Sequence, residues 1–142
     1  MKKDISAAHT LRVYIEDTDV GGIVYHANFL KFFERARTEM LRCYGFTNAH
    51  LLKEHAYRFV VFKAELKFIA PAFLDDTLEV QSCLSIKSPV HLRFVQTMLR
   101  DSKELAHATI GVTCVNNQLK PTRLPAAILG RLTDEPSREK DR

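Results

Sequence analysis

The chain has 142 residues, 46% of them hydrophobic and 27% charged, which suits one globular domain with a workable core. The net charge of +4 comes from 21 Lys and Arg interleaved with 17 Asp and Glu. The basic stripe with aromatic residues that marks a nucleic-acid surface is missing. No run is long enough for a membrane-spanning helix or a signal segment, and three cysteines without C-x-x-C spacing argue against a disulfide framework or zinc site. A reducing cytoplasm is the expected location.

In chain order, Leu11, Val13 and Ile15 alternate with Arg12, Tyr14 and Glu16, which predicts a short strand over Thr10–Asp17. Asp17 and Asp19 follow at its end. Their spacing puts them on one face of an extended segment, where they serve either catalysis or turn formation. Gly21-Gly22 supply the freedom for a sharp reversal. Asn28 is a candidate N-cap for a long helix that Gly45 ends as its C′ residue. On that helix Phe29, Phe32, Phe33, Ala36, Met40, Cys43 and Tyr44 share a face that Leu30 and Leu41 widen, so it reads as a core helix. Arg37 falls inside this apolar arc and needs a partner, with Glu34 one turn earlier as the nearest candidate.

Asn48–His55 has the length of one or two helical turns anchored by Leu51 and Leu52. From Phe62 the period becomes two. Phe62, Ala64, Leu66 and Phe68 share one face of a strand, then Leu78, Val80, Leu84 and Ile86, then Leu92, Phe94 and Met98. Asp101-Ser102-Lys103 is a hairpin turn, and Ala106, Ala108, Ile110, Val112 and Cys114 line the inner face of the last strand. Leu124–Leu132 is a candidate terminal helix. The expected domain spans residues 1–133, with residues 134–142 as a charged, disordered tail. One apolar helix and about five half-apolar strands pack most simply as an α+β unit with a curved antiparallel sheet around the helix.

An acidic residue just upstream of a helix N-terminus is a chemical arrangement in its own right. The helix end offers unpaired amides and partial positive charge to an oxyanion or a polarised carbonyl, and the carboxylate can act as base or nucleophile. The run D-T-D-x-G-G-I-V-Y-H-A-N-F-L-x-F-F-E-R-A-R-T-E-M-L from Asp17 resembles the signature of hotdog-fold acyl-CoA thioesterases. It is most similar to the Tol–Pal-associated acyl-CoA thioesterase group and also to 4-hydroxybenzoyl-CoA thioesterase. Looser similarity continues through F-I-A-P-A-F-L-D-D-T-L-E-V at Phe68–Val80. Val20 departs from the pattern, since relatives often carry a smaller residue or proline there.

The resemblance implies a five-stranded antiparallel sheet wrapped around one long central helix, assembled as a homodimer or homotetramer. It implies Asp19 as the catalytic carboxylate and the backbone N–H of His26 as the group that polarises the thioester carbonyl. Gly22 and Tyr25 are the expected substrate contacts. Glu34 is a rival carboxylate, but the H-G-G motif of thioesterases that use a helical glutamate is absent here. The expected reaction is acyl-CoA hydrolysis without metal or other cofactor. The competing reading is a non-catalytic module that binds acyl-CoA, acyl carrier protein or a cell-envelope partner in the same groove.

Overall fold

The computed structural model describes residues 5–124 and 129–130. The strands are β1 (Ile5–Arg12), β2 (Arg58–Phe68), β3 (Thr77–Ile86), β4 (His91–Arg100) and β5 (Lys103–Val115). They form one antiparallel sheet in the order β1-β3-β4-β5-β2. The helices are α1 (Asn28–Cys43) and α2 (Asn48–His55). α1 packs on β1 and β3, and α2 packs on β2.

The five-stranded antiparallel sheet agrees with the sequence reading. The single long central helix does not, because the helical part is two separate helices. The break has a local cause. Gly45, at φ +94, lets its own N–H donate to the Arg42 carbonyl and the Phe46 N–H to the Leu41 carbonyl, which closes α1 in a Schellman motif. Thr47 then caps α2 by accepting from the His50 amide at 3.1 Å. A chain that reverses at Gly45 and restarts at Thr47 cannot run on as one rod.

The core is where alternation placed it. Phe29, Phe32, Phe33, Ala36, Met40 and Leu41 of α1 are buried against Leu78, Val80 and Leu84 of β3, Leu92, Phe94 and Met98 of β4, and Ala106, Ala108 and Ile110 of β5. Leu30 is exposed, so α1 has one open side. Asp101 and Ser102, both at positive φ, make the two-residue turn between β4 and β5.

Other boundaries differ from the sequence reading. β1 begins at Ile5 and ends at Arg12, and a 3-10 turn over Ile15–Asp17 follows. Val13 is buried, but the turn swings Ile15 into solvent at 76% exposure. β2 begins at Arg58. A bulge between Val61 and Lys63 puts Phe62 out of phase with Ala64, Leu66 and Phe68. Its ring lies over Gly111, where an added Cβ would come within 2.8 Å of Phe62 Cζ. As an edge strand, β2 leaves Val60, Val61, Phe62 and Phe68 exposed. The boundary at residue 133, the charged tail and most of the candidate helix at 124–132 lie outside the described residues.

Candidate active site

The segment between β1 and α1 is tied by backbone and side-chain hydrogen bonds on both of its limbs. Asp17 is buried, and its carboxylate accepts the Tyr14 amide at 2.8 Å. Its carbonyl accepts both the Tyr25 amide at 3.0 Å and Asn28 Nδ2 at 2.9 Å. Asn28 is therefore not the side-chain N-cap that the sequence suggested. It sits inside the first turn and donates to the loop. Asp17 organises this loop through both its side chain and its backbone.

Asp19 lies in a small hairpin closed by the Thr18–Val24 bridge and fastened to Phe73 through Ile23. Its amide donates to the Ile23 carbonyl at 2.9 Å, and its carbonyl accepts the Gly22 amide at 3.1 Å. Its carboxylate Oδ1 accepts the Gly21 amide at 2.8 Å. The second carboxylate oxygen has no hydrogen-bond partner among the described residues, and the side chain is exposed. Both glycines have a reason to be there. Gly22 sits at φ +81, and a Cβ on Gly21 would press to 3.2 Å from Asp19 Oδ1.

The chain enters α1 through a tight turn. The amides of Asn28, Phe29 and Leu30 donate to the carbonyls of Tyr25, His26 and Ala27, at 2.8, 3.2 and 3.2 Å. The amides of His26 and Ala27 are left without an acceptor among the described residues. They stand at the positive end of a 16-residue helix. Beside them is a cavity of about 280 Å3 lined by Val24, His26, Phe29, Phe68 and Pro71. The Phe68 ring is edge-on to His26 at 6.0 Å and tilted against Phe29 at 5.5 Å. Of the residues singled out in the sequence, His26 lines this cavity, whereas Asp19, Gly22 and Tyr25 are exposed and do not. Phe68 was read in the sequence as an inward strand residue and as the first residue of the looser similarity, not as part of the site. Its place at the site depends on the return of β2 past the α1 N-terminus, which short-range periodicity does not contain.

A profile of the thioesterase-like superfamily matches residues 13–132. The chain belongs to this family. It is 43% identical over 119 residues to the acyl-CoA thioesterase YbgC of Haemophilus influenzae, covering 83% of this chain and 88% of that protein. The acyl-CoA thioester hydrolase YbgC of Escherichia coli O157:H7 is 43% identical over 121 residues, covering 84% and 90%. Among solved structures, a probable thioesterase from Bartonella henselae superposes with a TM-score of 0.82 at 36% identity, over 85% of this chain and all of that one. The architecture is accordingly that of the hotdog thioesterases, with α2 as a second helix.

Glu34 and Arg37 do not form the ion pair expected from their spacing. Glu34 is exposed and accepts from Thr38 Oγ1 at 3.0 Å. Arg37 Nη1 donates to Gln96 Oε1 at 3.0 Å, and its guanidinium lies 5.8 Å from the centre of the Phe94 ring. Gln96 is fully buried and passes the network on, donating through Nε2 to the Phe33 carbonyl and to Ser82 Oγ, both at 2.9 Å. Burial lowers the Arg37 pKa, and the charge of Glu34 partly offsets that. Among the described residues, no three His, Cys, Asp or Glu side chains gather to hold a metal ion.

Proposed function

We propose that this thioester hydrolase acts on acyl-CoA at the α1 N-terminus, with Asp19 as the reacting carboxylate. The observation that carries the reading is the pair of unpartnered amides at His26 and Ala27 following a hairpin that holds Asp19 by one oxygen only. A thioester oxygen bound to those amides gains charge as the carbonyl carbon becomes tetrahedral, and fixed donors stabilise that charge. The free oxygen of Asp19 then either adds to the carbonyl carbon or takes a proton from an attacking water. In the first route CoA leaves as a thiolate to give a mixed anhydride on Asp19, which a water then cleaves. In the second the thiolate leaves directly from the water adduct, and both routes give the free acid and CoA. The acyl group fits the apolar cavity between Phe29 and Phe68. Three free cysteines support a reducing, cytoplasmic setting.

The reading includes assembly as a homodimer or homotetramer. The exposed apolar residues of β2 and its unpaired edge support pairing with a second copy, since bare edges of this kind are normally covered. A monodisperse monomer with full activity in light scattering would rule this assembly out.

Asp19→Asn tests the chemistry. The asparagine carbonyl oxygen still accepts the Gly21 amide, so the hairpin is kept while the negative charge is lost. Thiol release from the best substrate in an acyl-CoA panel should fall by about 100-fold or more, with an unchanged melting curve. Near-normal turnover in Asp19→Asn would remove the assignment.

A further inference from the structure

A second cavity, of about 260 Å3, lies between the C-terminal half of α1, α2 and the start of β2. It shares no lining residue with the cavity at His26. Its walls include Leu41, Leu51, Phe59 and Phe94, and two arginines, the partly buried Arg37 and the exposed Arg58, line it together with one acidic residue, Glu34. A guanidinium has five N–H donors. Arg37 uses one, towards Gln96, and Arg58 has no side-chain acceptor among the described residues. Glu34 makes no hydrogen bond to either guanidinium; one of its oxygens accepts from Thr38 Oγ1. Burial holds the Arg37 pKa down, and the charge of Glu34 partly offsets that.

Cations with spare donors on an apolar space complement an amphipathic anion. The guanidinium fork matches a carboxylate in a bidentate manner. The volume is just below the range of about 300–1,000 Å3 for drug-sized ligands, so the tail is short or medium, or a single ring. We propose that this cavity binds an apolar organic carboxylate, with its head on Arg37 and Arg58 and its tail against Leu51 and Phe59.

Two sources share that chemistry. One is the free acid released by thioester hydrolysis, a source that rests on the function proposed above. The other is the far carboxylate of a dicarboxylic acyl group. Arg37 lies ten residues beyond Ala27, about 15 Å along the helix axis, so only a long dicarboxylic chain would span both sites.

The test is calorimetric titration of the intact protein with sodium octanoate and, as an uncharged match, octan-1-ol. Octanoate should saturate, with octanol about tenfold weaker or worse, and Arg37→Gln should weaken octanoate by about tenfold. Since Arg37 also bonds Gln96, a second variant guards against misfolding. Leu52 lines the cavity at 43% exposure. Leu52→Glu therefore places a repelling carboxylate there with its own access to water, and should weaken octanoate similarly. Equal binding of octanoate and octanol, or undiminished octanoate binding in both folded variants, overturns the proposal.

The source follows from turnover. Inhibition of butyryl-CoA hydrolysis by octanoate that is relieved in Leu52→Glu identifies the free acid. A preference for dodecanedioyl-CoA over dodecanoyl-CoA that is lost in Leu52→Glu identifies the distal carboxylate. Octanoate binding is read directly, so it stands in Asp19→Asn even if the hydrolytic assignment fails. Absence of saturable octanoate binding sinks the proposal even if hydrolysis is intact.

Discussion

Gln96→Leu removes the centre of the buried polar network and keeps roughly the same volume. Three hydrogen bonds go: the one from Arg37 Nη1 at 3.0 Å, and those from Nε2 to the Phe33 carbonyl and to Ser82 Oγ, both at 2.9 Å. The two Nε2 bonds are neutral and worth about 1 kcal/mol each, partly returned by burying leucine. The bond to Arg37 is charge-assisted, and its loss leaves a guanidinium facing the Phe94 ring without an acceptor. Losing a hydrogen bond to a charged group costs about 1.5–3 kcal/mol, and Arg37 is partly buried, so little water replaces it. The expected net loss is about 3 kcal/mol. Equilibrium urea unfolding followed by circular dichroism, at one fixed protein concentration, measures it. The double variant Arg37→Met with Gln96→Leu removes the stranded charge as well. It should recover about 2 kcal/mol relative to the sum of the single changes. A loss under about 1 kcal/mol in Gln96→Leu, or strict additivity in the cycle, would show that the network does not hold Arg37.

Gly111→Ala brings a Cβ to 2.8 Å from Phe62 Cζ, but that ring is 58% exposed on a bulged edge and can swing away. The expected cost is about 1 kcal/mol in the wild type, turning into a gain of about 0.5–1 kcal/mol in a Phe62→Ala background, as urea midpoints would show. For Cys114, burial raises the thiol pKa from the ordinary 9.0 to about 11. The unfolded chain loses this proton first, so stability is full below pH 9 and falls as pH rises towards about 11. Cys114→Ala should be less stable at neutral pH yet lose less between those limits, and an identical pH slope in the two proteins would contradict the assignment.

Much of the sheet was legible because β3, β4 and β5 each bury one face. Leu78, Val80, Leu84, Leu92, Phe94, Met98, Ile110 and Val112 all lie in the core that alternation predicts. Gly45 was legible because a positive φ at the end of a helix leaves few alternatives. What escaped depended on contacts between distant segments. Gln96 and Ser82 occupy inward positions of apolar runs, and their reason is a cation on α1 that local periodicity cannot register. Phe62 fits the alternation and breaks it in the structure, because a bulge moves the phase where Gly111 leaves room for the ring. Asn28 satisfies the residue preference of a cap but spends its side chain on Asp17. At the candidate site, the D-T-D-x-G-G run was readable as a turn next to a helix start. The cavity formed with Phe68 required the path of β2.

The polar contacts along α1 connect this packing to the chemistry. An apolar interface fixes how deeply a helix sits, but it resists sliding and rotation only through the shapes of its side chains. Gln96 adds a directional contact by touching the Phe33 carbonyl and the Arg37 guanidinium, one helical turn apart, from a fully buried position on β4. At the other end, Asn28 reaches back to the Asp17 carbonyl, which also receives the Tyr25 amide. Asp17 in turn holds the Tyr14 amide, and the Asp19 hairpin hangs between these fastened points. The sheet, the helix and the acidic hairpin are thus joined by hydrogen bonds with defined directions. Oxyanion stabilisation depends on donors that are already aimed before charge develops. A helix pinned at mid-length and at its start holds the His26 and Ala27 amides where the proposed oxyanion role needs them, without help from the substrate.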